Sequence, residues 1–415
     1  MKKKVNIALS LFVLCIGCFS LAAESPVILS FRQCYQLALS RSEVLADQQE
    51  QVVQAEEQYK QAVGALLPSI TGLASYTLQP NSSDQLLIKA NATYPLFRGF
   101  RMVGAIKEYE QLLSAKKEAR QWAALQLYSD IAQSVYLYAY LQQDIQLLLE
   151  QQSLLNKRIN ELQDRVNIGR SRPTEVYSLQ VSLFQLQTQL VTARSQLDTA
   201  EGLLQFLTGQ DIAVQVEPTN NFTLLPLSSY QTRIQQRPDI KASIARIEST
   251  KLLEQITKEG ESTPLIDLNG NLYLNRPAPN QSMPWDAQIQ LTLPNFLVDV
   301  AASKTRESAS VRKQAELGLS LLRRQLVNDL TTIYANLIAE KQQLQLFEKA
   351  QHVSEKNVDT VVKDYRLGLS NNLDVLQALN AHIDIKRSFN KMRFAYLTDQ
   401  ARLASMTADL GAISK

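Results

Sequence analysis

Residues 266–275 read Ile-Asp-Leu-Asn-Gly-Asn-Leu-Tyr-Leu-Asn. Ile266, Leu268, Gly270, Leu272 and Leu274 alternate with Asp267, Asn269, Asn271, Tyr273 and Asn275. Side chains of a strand point to opposite faces in turn, so this stretch has one apolar and one polar face. Three other stretches repeat the pattern. Residues 70–78 set Ile70, Gly72, Ala74, Tyr76 and Leu78 against Thr71, Leu73, Ser75 and Thr77. Residues 86–94 set Leu86, Ile88, Ala90, Ala92 and Tyr94 against Leu87, Lys89, Asn91 and Thr93. Residues 285–293 set Trp285, Ala287, Ile289, Leu291 and Leu293 against Asp286, Gln288, Gln290 and Thr292. Each run is nine or ten residues long, the length a tilted strand needs to cross a bilayer. Apolar out and polar in, with aromatic residues near the ends, is the pattern of a transmembrane barrel. A half-buried soluble sheet packed on helices shows the same alternation, so the surroundings of these strands must decide.

Those surroundings are helical. Of 415 residues only 13 are Gly and 13 Pro, both well under average usage, and turns depend on them. Residues 98–167 and 297–366 contain no proline, and each spans about 105 Å as a helix. Heptad spacing explains such length: Ile145, Leu148, Gln152, Leu155, Ile159, Leu162 and Val166 step by three and four, as do Leu344, Phe347, Gln351, Ser354, Val358, Val361 and Tyr365. The only histidines, His352 and His382, have no acidic or Cys partner at metal-ligand spacing and read as ordinary helix residues. No nucleophile, metal or phosphate-cradling motif occurs, so the expectation is no enzyme, no catalytic residue, no metal and no cofactor.

The N-terminus sets the compartment. Lys2, Lys3 and Lys4 precede an apolar run from Val5, and small residues Ser20, Ala22 and Ala23 precede Glu24, the layout of a secretory signal over 1–23. A competing reading lipidates Cys18 after Gly17. Removal of three lysines turns 43 basic against 40 acidic residues into an even balance, which leaves no basic patch for nucleic acid. It also leaves Cys34 as the one cysteine, so packing or assembly, not disulfides, must hold the exported chain together.

The chain is an internal duplication. Arg41-Ser42-Glu43-Val44 aligns with Arg237-Pro238-Asp239-Ile240, and Pro68-Ser69-Ile70 with Pro264-Leu265-Ile266, at an offset of 196. Pro95-Leu96-Phe97 aligns with Pro294-Asn295-Phe296, Gly169 with Gly368, and Glu175-Val176 with Asp374-Val375, at 199. The expected organisation is a first repeat over 24–212, a linker or equatorial segment over 213–228, and a second repeat over 229–415. The first repeat holds a helix over 30–66, strands over 69–78 and 86–94, a long helix over 98–167 and a helix over 173–207. The second holds a helix over 229–262, strands over 266–275 and 285–293, a long helix over 297–366 and a helix over 372–409. Two short helices end to end equal one long one. Four strands cannot close a barrel, and an open edge in lipid is forbidden. The chain must therefore assemble, and because eight strands make a filled barrel, twelve is the smallest number with a conduit.

The Leu67-Pro68 exit before a strand, Arg237-Pro238-Asp239-Ile240, the Pro-x-Phe after each strand pair, and Tyr365-Arg366-Leu367-Gly368 through Asp374-Val375-Leu376 resemble the TolC-type outer membrane efflux proteins. The resemblance covers essentially the whole mature chain. It implies a mainly α fold with a membrane β-barrel portion. An elongated α-helical coiled-coil barrel continues a 12-stranded β-barrel shared by a homotrimer, four strands per protomer. The protein is then a passive exit duct in the outer membrane, extending into the periplasm, within a tripartite efflux or type I secretion system. Its partners are outer membrane lipids, a periplasmic adaptor (membrane fusion) protein and an inner-membrane pump of RND or ABC type. The alternative class is a non-conducting, periplasm-spanning structural coiled coil.

The resemblance also assigns the tips. Ile168-Gly169-Arg170-Ser171 and Leu367-Gly368-Leu369-Ser370 correspond to the adaptor-docking, periplasmic entrance. Glycine past a helix end, Pro173 in a first turn and Asn371 with Asp374 as a cap are also plain structural devices. In the family an acid after the first tip pairs with a tyrosine and an arginine around the second. Glu175 and Tyr365 match the first two, but the arginine position is Ser370, and Arg170, Arg172 or Arg366 are left as substitutes. Asp374 matches an acid of the constriction, and Gln377 stands where a second acid sometimes follows. A solvated surface role competes for each charge.

Overall fold

The computed structural model describes residues 27–78, 80, 84–210, 212–214, 222–277, 282–293 and 298–409. The signal-like segment with Cys18, residues 215–221 of the linker, and Pro294-Asn295-Phe296 lie outside the described residues. The chain opens with β1 (Val27–Leu29), α1 (Phe31–Arg41) and α2 (Glu43–Gly64), then the hairpin β2 (Ser69–Thr77) and β3 (Gln85–Phe97). The long α3 (Arg101–Asn167) and α4 (Pro173–Thr208) follow, then β4 (Ile212–Val214). The second half runs α5 (Leu227–Ile234), α6 (Pro238–Ser262), β5 (Leu265–Asn275), β6 (Trp285–Thr292), α7 (Val298–Leu367) and α8 (Asn372–Met406).

Two differences from the sequence reading stand out. Each first helix is broken: 30–66 is α1 plus α2, and 229–262 is α5 plus α6. Ser42 is extended and accepts the Leu45 amide at 3.3 Å, starting a new helix. In the second repeat Pro238 forces Arg237 out of helical geometry, with φ −60° and ψ 144°. Moreover, the linker is not all loop, since β4 pairs in parallel with β1. This two-stranded piece and α1 flank the middle of the molecule.

The two long helices, 67 and 70 residues, are the frame. Toward the sheet α2, α3, α6 and α7 lie side by side, and toward the tips the order is α4, α3, α8, α7. Within the first hairpin the seam is apolar. Leu148, Leu155 and Leu162 of α3 are buried against Val176, Leu179, Leu186 and Leu190 of α4. A second core, at the middle, packs Cys34 and Ala38 with Tyr128, Ile131, Val135, Leu204 and Ala401. Burial pushes the Cys34 thiol up to about 11, so it stays protonated. Arg237, 2% exposed, makes a bidentate pair with Asp239 (2.9 and 2.8 Å), donates to the Met406 carbonyl at 3.3 Å and stacks 4.1 Å over Trp122. It ties the start of the second repeat to α3 and to the end of α8.

Where α7 meets α8, Glu340 carries a buried Oε2 without a hydrogen-bond partner. Desolvation, reinforced by Asp399 and opposed by Arg402, raises its carboxyl to about 7. The folded protein thus holds a proton there that the unfolded chain releases near its ordinary value of 4.5. Stability should therefore fall as pH rises from about 5 to about 7. Glu340→Gln should flatten that slope in thermal melts recorded across this range, and a slope equal to the parent's would disprove the assignment.

Candidate functional site

Two regions carry the chemistry, the sheet at one end and the helix turns at the other. The sheet has the order β2-β3-β5-β6, all antiparallel. Its register puts like with like. Ile70 pairs with Ala92, Gly72 with Ala90, Tyr94 with Leu268, Leu268 with Ile289, and Leu272 with Trp285. Ile70, Tyr76, Trp285 and Ile289 are exposed, together forming a broad apolar face. Because a slip of one residue would exchange the faces, this register is what separates oil from water.

The opposite face is knitted by polar side chains. Asn91 Nδ2 donates to Asn271 Oδ1 at 3.0 Å, Thr93 Oγ1 to Asn269 Oδ1 at 2.7 Å, and Asn269 Nδ2 to Gln290 Oε1 at 3.2 Å. Two edges, β2 and β6, are unpaired in the single chain. No described helix is long and apolar enough to cross a membrane, a fact that bears on helices alone.

The two tips are built alike. Gly169 has φ 74° and Gly368 φ 78°. The amide of Gly169 donates to Val166 O at 2.9 Å and that of Arg170 to Arg165 O at 2.8 Å; Gly368 and Leu369 repeat this with Tyr365 (3.1 Å) and Asp364 (2.8 Å). These are the paired bonds of a Schellman C-cap, which needs a left-handed residue that glycine supplies without strain. Ile168, Leu367 and Leu369 point outward and are exposed, as Leu373 is. Pro173 starts α4, and Asn371 and Asp374 form a reciprocal capping box at 3.0 Å each way.

Tyr365 is the centre of the tip. Its hydroxyl accepts from Arg165 Nη1 at 2.8 Å, and its ring lies 3.9 Å from the Arg158 guanidinium and 4.7 Å from that of Arg165. Arg158 also donates through Nε to Asn372 Oδ1 at 2.9 Å and through Nη1 to Glu161 at 2.8 Å. Glu175 meets Ser171 Oγ at 3.0 Å instead of Tyr365. Ser370 Oγ donates to the Val361 carbonyl at 3.2 Å, and Gln377 is exposed. The cations on Tyr365 thus come from α3, not from Arg170, Arg172 or Arg366. Sequence reasoning missed Arg158 and Arg165. Their spacing of seven, which places both on one helix face, was the available signal.

Other cross-hairpin contacts are polar too. Arg387 of α8 makes a bidentate pair with Asp144 of α3 (2.8 and 2.9 Å) and reaches Gln189 of α4 at 2.9 Å, while Gln151 bonds Asn380 at 2.9 Å. Within the second hairpin, His382 of α8 faces Ser354 Oγ of α7 at 2.8 Å. Among the described residues no cluster of His, Cys, Asp and Glu could hold a metal.

A long helical array ending in an amphipathic antiparallel sheet is the architecture of an outer membrane channel protomer, and comparison with known proteins agrees. A sequence profile for the family described as Outer membrane efflux protein matches residues 34–210 and again 229–409. Three solved structures share the fold. The Campylobacter jejuni CmeC outer membrane channel superimposes with TM-score 0.83 at 15% identity, covering 98% of this chain and 94% of its own. The outer membrane protein VceC of Vibrio cholerae gives 0.80 at 17%, covering 91% and 95%. The Neisseria gonorrhoeae MtrE outer membrane channel, in its open state, gives 0.77 at 17%, covering 91% and 88%. No curated relative matches. The chain belongs to the outer membrane efflux protein family. It is an efflux channel of the outer membrane, and the family is one of channels rather than enzymes.

Proposed function

We propose that three copies close the sheet into a 12-stranded barrel and the helices into a cylinder below it. The resulting passive duct is gated at its periplasmic tips and opened by docking to a periplasmic adaptor and an inner-membrane RND or ABC pump. The observation that carries this reading is the pair of unfinished edges. In the sheet, β2 and β6 present free backbone groups that lipid cannot satisfy. In the tip half of the helical array, α4 forms one margin and α7 the other. Tyr177, Val181, Phe184, Val191 and Phe206 share the face of α4 opposite the one packed on α3, and all are exposed, Phe184 at 64%. There the α7 margin carries exposed Leu346 and Val353, and the same face continues toward the sheet through Ala339, Ala335, Leu321 and Leu317. A helix apolar on two opposite faces has two neighbours, and in a closed ring the second belongs to the next copy.

In this reading the turns at Ile168–Ser171 and Leu367–Ser370 are the docking tips. Asp374, with a carboxylate that already caps α8, forms a three-fold anionic constriction next to Gln377, while Glu175 guards the first tip. Tyr365, held by Arg158 and Arg165, keeps the two hairpins together when the gate is shut. Removal of residues 1–23 as a signal, and the two-repeat organisation, belong to the same proposal.

Light scattering of detergent-solubilised protein should give the mass of a trimer, and planar bilayers should show pores. Phe184→Glu, which buries a carboxylate in the ring contact, should shift the population to monomers. A monodisperse wild-type monomer that never conducts would end this reading.

A further inference from the structure

The polar face of the sheet is not uniformly neutral. At the end joined to the helices, Asp267 is matched by Arg98 at 2.6 Å. Its middle carries amides and hydroxyls. At the distal end, where β2 and β5 finish and β3 and β6 begin, two cations share one carboxylate. Arg276 folds back onto this face, its guanidinium 4.2 Å from the Tyr273 ring and its Nη2 3.2 Å from Asp286 Oδ2. Asp286 also accepts from Asn271 Nδ2 and from the Tyr273 hydroxyl, both at 2.8 Å. Lys89 donates to Asn271 Oδ1 at 3.1 Å and forms no ion pair among the described residues. Asp84, the remaining described acid at this end, does not offset it. It accepts at 2.5 Å from the hydroxyl of Tyr76, an exposed residue of the apolar face.

We propose that Lys89 and Arg276 form a cationic collar inside the distal mouth of the barrel, a site for multivalent anions. This rests on the trimeric duct, in which each protomer adds one uncompensated positive charge to the ring. Walls of low dielectric focus such a field into the lumen. The collar is opposite in sign to the proposed Asp374 ring at the other end, so the duct presents an anionic entrance and a cationic exit. Anionic solutes on the outer side are drawn to the mouth but meet repulsion at the tip.

The test is one-sided block of the reconstituted full-length channel by inorganic triphosphate in 0.1 M KCl. Triphosphate added on the barrel side should reduce current, and Lys89→Gln should require about tenfold more for the same block. Lys89→Arg should restore the wild-type response, Arg276→Gln should weaken it independently, and 1 M salt should abolish it, because the Debye length falls to about 3 Å. Equal block of wild type and both Gln variants, or block by spermidine from that side instead, overturns the collar. Absence of pores from inserted protein overturns the trimeric duct itself, a distinguishable failure.

Discussion

Asp144→Ala is expected to destabilise the helical body by about 3–5 kcal/mol, the cost of leaving one partner of a buried ion pair alone. Asp144 is 3% exposed in the middle of α3, and Arg387 spends two nitrogens on it and a third on Gln189. The pair therefore joins α3, α4 and α8. Its bidentate hydrogen bonding holds the Arg387 guanidinium even more firmly protonated than usual. Loss of the carboxylate strands this cation among helices. Melting followed by circular dichroism in detergent should show a clear drop for Asp144→Ala. The double variant Asp144→Leu with Arg387→Met, which removes both charges and keeps the volume, should recover most of it. Equal destabilisation by the single and double variants would mean that the pair is not the anchor described.

Tyr365→Ala is expected to raise the time-averaged conductance of the reconstituted channel by about tenfold or more. Each guanidinium against the ring contributes about 0.5–2 kcal/mol, and the hydroxyl's bond to Arg165 about 1.5–3 kcal/mol. A bias of only about 1.4 kcal/mol already shifts an equilibrium tenfold. Tyr365→Phe keeps the ring between Arg158 and Arg165 but loses the 2.8 Å hydrogen bond, so an intermediate rise is expected. Arg165→Ala and Arg158→Ala should move conductance in the same direction. If the three alanine variants conduct like the parent, Tyr365 has no part in closure and serves only to pack the tip.

The strands were readable because their alternation admits only one sorting of side chains, and the register pairs Ile70 with Ala92 and Leu268 with Ile289 on that face. The seam of Leu148, Leu155 and Leu162 was readable for the same reason, since a heptad fixes which side of a helix is dry. The breaks at Ser42 and Arg237 were missed because hydrophobic periodicity carries across a single capping residue. Nor did periodicity reveal β1 and β4, three residues each, whose pairing joins positions 185 apart.

The sequence by itself determined the two-faced strands, the long helices and the glycine turns, since each depends on residues near one another along the chain. Only the tertiary structure decided the partners. Arg158 and Arg165 meet Tyr365 some 200 residues away, Asp144 meets Arg387 at a separation of 243, and Lys89 donates to Asn271 at a separation of 182. Which charge meets which depends on how the two hairpins dock, and no local pattern encodes that.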